Sequence, residues 1–140
     1  MFNNILLAAD DLEHARKAAQ LAGETARRMR SSSLRIVVAY PSVPDYLGGA
    51  QAEQETGVRM TRAEATAGSL RQAVGAIPGE VQTEVLEGTV AEVALAASRV
   101  FGSDLVLMPA QEPGLWDRLK AWFRNFKAAD RVGCPVMIVQ

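Results

Sequence analysis

Three short runs of unbroken apolar residues constrain what this chain can become. Ile5-Leu6-Leu7-Ala8-Ala9, Leu105-Val106-Leu107-Met108 and Val136-Met137-Ile138-Val139 show no alternation of apolar and polar positions. A strand that is apolar on both faces needs cover on both faces, as in a parallel sheet flanked by helices. A parallel sheet delivers ligands to the carboxyl ends of its strands. The residues after Met108, beginning with Pro109, therefore decide whether the chain can hold a phosphate.

Between these runs the pattern alternates strand with helix. Asp10 or Asp11 caps a helix with apolar positions Ala15, Ala18, Ala19, Ala22, Ala26 and Met29. A second strand spans residues 34–40. Two prolines and Gly48-Gly49 make residues 41–49 a loop. A long polar helix over residues 52–74 carries Met60, Ala63, Ala67, Leu70 and Val74 on one face. Residues 81–86 alternate as a half-buried edge strand does. Gly88-Thr89 opens a helix with Val90, Val93, Ala94 and Ala97 inward, and Thr89 with Glu92 forms a capping box. Five strands with intervening helices predict right-handed crossovers and one α/β domain: a doubly wound, Rossmann-like, five-stranded parallel sheet with helices on both faces. The 140 residues suffice to bury one core without staples.

Charge and cysteine usage exclude several functions. The formal net charge of −1 gives no basic field for nucleic acid or a membrane surface. With one cysteine, Cys134, and one histidine, His14, neither an internal disulfide nor a Cys/His zinc site can be assembled within the chain. No basic leader precedes Asp10-Asp11 and no apolar run approaches membrane-spanning length. The expectation is a soluble cytoplasmic protein with no metal.

The chain resembles the universal stress protein family along its whole length. Ile5-Leu6-Leu7-Ala8-Ala9-Asp10 is similar to the family's first strand and aspartate, and Gly88-Thr89-Val90-Ala91-Glu92 to its helix start after the third strand. Asp104-Leu105-Val106-Leu107-Met108 resembles its fourth strand, and Cys134-Pro135-Val136-Met137-Ile138-Val139 its closing strand. The resemblance implies strand order 3-2-1-4-5. Relatives that bind ATP carry glycine, two residues, glycine, nine residues, then glycine and serine or threonine after the fourth strand. Those glycines let backbone N–H groups crowd around phosphates. Here the matching positions are Pro109, Glu112, Trp122 and Phe123, and from Phe101 onward only Gly102, Gly114 and Gly133 are glycines. Each lost donor to a charged oxygen costs roughly 1.5–3 kcal/mol. The chain thus resembles the branch that dimerises without ATP.

Each remaining candidate has a bland reading. Asp10 matches the acid that faces the base in ATP-binding relatives, but a cap on the first helix is the favoured role. A phosphorelay receiver would need an acceptor aspartate after the third strand, where Glu87-Gly88 stands. His14 is expected at the surface or in a cap, and Cys134 as a small packed hydrophobe. Trp116, Leu119, Trp122, Phe123 and Phe126 share one face of a helix. They either fill the empty cleft or dock a protein partner or a membrane surface. If the last strand is a sheet edge, Pro135, Val136, Met137, Ile138 and Val139 form the interface of a homodimer. The sequence thus points to a stress-response homodimer with no cofactor and no catalytic residue, acting through protein contacts. The rival readings are a nucleotide binder with an unconventional loop and an adaptor docking through Trp116 and Trp122.

Overall fold

The computed structural model describes residues 2–110 and 134–139. In chain order the elements are β1 (Asn4–Ala9), α1 (Leu12–Met29), β2 (Ser33–Tyr40), a 3-10 turn (Asp45–Leu47), α2 (Gly49–Val74), β3 (Glu80–Glu87), α3 (Val90–Phe101), β4 (Leu105–Pro109) and β5 (Val136–Val139). The five strands form one sheet in the order β3-β2-β1-β4-β5, every pair parallel. This is the expected single α/β domain.

Strand alternation sends side chains to two cores. On one face, Ile5, Leu7, Leu34, Ile36, Val38, Leu105 and Leu107 pack beneath α1 and α2. On the other, Leu6, Ala8, Val37, Ala39, Val106 and Met108 pack beneath α3. Both faces are covered, which is why the apolar runs do not alternate. Ala15, Ala18, Ala19, Ala22 and Ala26 are fully buried, and their short side chains seat α1 close against the sheet.

Two expectations for α1 are corrected. The cap is Asp11, not Asp10: Asp11 adopts extended backbone and its carboxylate accepts the His14 N–H at 2.8 Å. Asp10 lies one residue outside that position. Met29 is 38% exposed rather than inward. An 18-residue helix is about 27 Å long, whereas the six residues of β1 span about 20 Å, so the last turn overhangs the sheet.

The third helix behaves as its capping box predicts, with the Thr89 hydroxyl accepting the Glu92 N–H at 3.2 Å. The second begins earlier than expected, at Gly49, and its buried positions are Ala63, Ala67, Leu70 and Val74. Met60 is only half-buried. With 26 residues, about 39 Å, against eight-residue strands of about 26 Å, the first turns of α2 rise beyond the carboxyl ends of the sheet.

Candidate functional site

From β1 the chain winds through α1, β2 and α2 to β3 over one face of the sheet. It then crosses back through α3 over the other face to β4. The winding direction reverses between the neighbours β1 and β4, and in open parallel sheets such a reversal marks where a ligand crevice lies, outside the carboxyl ends of the strands. Three strand ends border this place: Ala9-Asp10 from β1, Tyr40-Pro41 from β2, and Pro109-Ala110 from β4.

Asp10 is the first polar residue after five buried ones. Its carboxyl is pushed above the ordinary range, first by desolvation against the strand ends and then by the charge of Asp11. Asp11 is engaged locally: besides capping α1, its carboxylate lies 2.8 and 3.0 Å from His14 Nδ1. That bond raises the His14 pKa, assisted by the negative charge of Asp11. The pair is exposed, with each side chain near half of its free area. Of the two acids, Asp10 is the one left to accept a hydrogen bond from a guest. An Asp-x-x-His spacing at a helix start is the sequence signal for the pairing with His14.

The far lip behaves differently. Pro109 is buried and ends β4 in register with Val139, so it belongs to the strand rather than following it. Proline has no N–H. The next amide, Ala110, donates to the Val139 carbonyl at 2.9 Å. The first two residues beyond Met108 therefore offer no free amide to an anion. Glu112 lies outside the described residues, as do Trp116, Leu119, Trp122, Phe123 and Phe126.

Beside the crevice, Arg59 ties the β2–α2 loop down. Its Nη1 donates to the carbonyls of Pro41 (3.0 Å) and Ser42 (3.1 Å), and its Nε to Glu55 Oε1 (3.0 Å). No sequence pattern announced this latch, because the receiving groups are carbonyls that any residue possesses.

At the sheet's end β5 pairs only with β4 among the described residues. Pro135 accepts the Val106 N–H at 3.0 Å. Val136, Ile138 and Val139 are half-buried and Met137 is 44% exposed. Cys134 is half-buried against the α3-side core, its thiol 3.9 Å from the Ser103 hydroxyl and its pKa raised chiefly by burial.

Comparison with known proteins agrees with this architecture. The family model described as the universal stress protein family matches residues 1–140. A Thermus aquaticus protein, the universal stress protein in the QAH/OAS sulfhydrylase 3′ region, is 34% identical over 140 residues, all of both chains. Among solved structures, the universal stress protein UspA from Lactobacillus plantarum superposes with a TM-score of 0.71 at 16% identity, covering 100% of this chain and 99% of that one. An Arabidopsis thaliana universal stress protein family member, solved with AMP bound, gives 0.62 at 11% identity, covering 97% and 90%. At such identities the solved structures speak for the fold alone. The whole-chain family match and the Thermus relative go further: this chain belongs to the universal stress protein family.

Proposed function

We propose that this protein is a cytoplasmic homodimer of the stress response that acts through protein contacts and does not grip a nucleoside triphosphate. The observation that carries the reading is the state of the amides beyond β4. Phosphate cradles are made of converging backbone N–H groups. Here Pro109 has none and the Ala110 N–H is held by Val139. The sequence also lacks the glycine and hydroxyl positions that ATP-binding relatives carry. No catalytic step is assigned. Calorimetric titration of the purified protein with ATP tests the reading, with no binding expected up to millimolar nucleotide. Micromolar binding that Asp10→Ala abolishes would overturn it.

One observation favours a second reading. Asp10 is held partly desolvated at the crevice, with its pKa raised, and such placements gather at binding sites. A guest that offers donors to Asp10 and asks little of the β4 side would suit it, and the Arabidopsis relative solved with AMP illustrates the class. Titration with AMP separates the readings. Binding of AMP without ATP supports the second, and binding of neither supports the first.

A further inference from the structure

The opposite edge of the sheet is β3, eight residues from Glu80 to Glu87. Among the described residues its only neighbour is β2. The Glu80 N–H donates to Ser32 (3.0 Å) and the Gly88 N–H to Tyr40 (2.9 Å). With the two-residue period of a parallel ladder, the even-numbered residues bond inward. Val81, Thr83, Val85 and Glu87 therefore turn their N–H and C=O groups outward. Proteins usually protect such an edge by shortening it, or with a bulge, a proline or a lysine. This strand is eight residues long, pairs with β2 in unbroken register, and contains neither proline nor lysine. Its protection is acid: Glu80, Glu84 and Glu87 are exposed.

These carboxylates discourage a second copy. An antiparallel pairing centred on Gln82, which keeps outward residues opposite outward ones, would set Glu80 of each copy against Glu84 of the other. They favour a strand of opposite charge. Beside the outward-facing backbone lies a shallow depression of about 460 Å³ lined by Arg35, Gln82, Thr83 and Glu84. Arg35 brings little free positive charge to it. Its guanidinium lies 4.7 Å over the Phe101 ring, donates to Gln82 Oε1 at 2.7 Å and stands 3.7 Å from Glu84.

We infer that β3 is a docking edge for an extended basic peptide of a partner protein, added to the sheet as a sixth strand. Outward N–H and C=O groups of Val81, Thr83 and Val85 pair with the guest backbone. Its cationic side chains meet Glu80, Glu84 and Glu87, and one side chain enters the depression. The inference rests on the reading of this protein as one that acts through protein contacts. It is independent of dimerisation, which concerns the other end of the sheet.

The test titrates the full chain with a capped hexapeptide alternating lysine and valine, followed by amide proton–nitrogen correlation spectra. Expected are salt-sensitive shifts at Val81, Thr83 and Val85, and affinity roughly tenfold lower or worse for the double variant E80K/E84K. A glutamate–valine peptide should not bind. A lysine–valine peptide with N-methylated backbone tests the hydrogen bonds without altering the protein, and it should lose binding. Thr83→Pro should lose binding too, because it deletes an outward N–H while leaving the ladder to β2 intact. Absence of binding, shifts confined to other surfaces, or equal binding of the acidic or N-methylated peptide would overturn the inference. Sedimentation of the same samples reports the dimer separately.

Discussion

Asp10 and Asp11 are adjacent in sequence, yet the backbone gives them different work. The extended geometry of Asp11 aims its carboxylate at the His14 N–H. Asp10 stays at the strand end without that engagement. Sequence could place a capping acid here but could not choose between them, since the choice turns on one pair of dihedrals. Asp11→Ala should cost about 1 kcal/mol in urea denaturation through the lost cap. The His14 pKa is raised, so its charged form stabilises the fold fully below the unfolded-chain value, about 6.5, and that contribution disappears as pH rises through the folded value. His14→Ala should therefore be less stable than wild type in mild acid, with the gap narrowing in alkali. A gap independent of pH would refute the pairing. For Asp10 the raised pKa has the opposite consequence. The folded state holds the proton more tightly, so ionisation costs stability as pH rises from the unfolded value, about 3.9, through the raised folded one. Asp10→Asn should raise Tm at neutral pH, and the gain should fade on acidification.

Between elements, α1 and α2 approach closely at Gly23. A Cβ added at Gly23 would be driven into the Val74 carbonyl oxygen and would lie 2.9 Å from the carbonyl carbon. That same oxygen accepts Arg27 Nη1 at 2.8 Å, so the end of α2 is pinned and cannot retreat freely. Gly23→Ala should destabilise by about 1–3 kcal/mol, the ordinary cost of overpacking. Gly68 sits within α2 with open space around it, and Gly68→Ala should stabilise by about 0.5–1 kcal/mol. Chemical denaturation of the two variants side by side checks the contrast, and equal effects would contradict the packing. The helices were legible wherever spacing and caps agreed, as in α3. The start of α2 was not, because Gly48-Gly49 supplies no side-chain cap and the overhanging turns bury no stripe that would show in the sequence. The crevice was legible in its two acids and in Pro109. The bond from Ala110 to Val139 was not, since it depends on β5 reaching the end of β4.

Across the whole molecule the sheet has two unlike ends. The continuous apolar runs of β1 and β4 foretold its centre, and alternation foretold the β3 edge. The equally continuous run of β5, expected to be buried, instead forms the other edge and is only half-buried. The β5 end is apolar where β3 is acidic. Val106 donates to Pro135 and Ala110 to Val139, so the period of the ladder turns the outward groups of β5 to Val136 and Ile138. Met137, between them, is exposed. In the proposed homodimer two such edges pair antiparallel around a two-fold axis near Met137, burying its side chain and satisfying the outward groups in one step. Met137→Glu would bring two carboxylates together there, and charges directly opposite repel. Because the side chain is already exposed in a single copy, the substitution should leave each protomer folded. Wild-type Tm should rise with protein concentration, as linkage between association and folding requires. The variant should sediment as a monomer with a Tm that ignores concentration. A variant that remained dimeric would place the interface somewhere other than this strand.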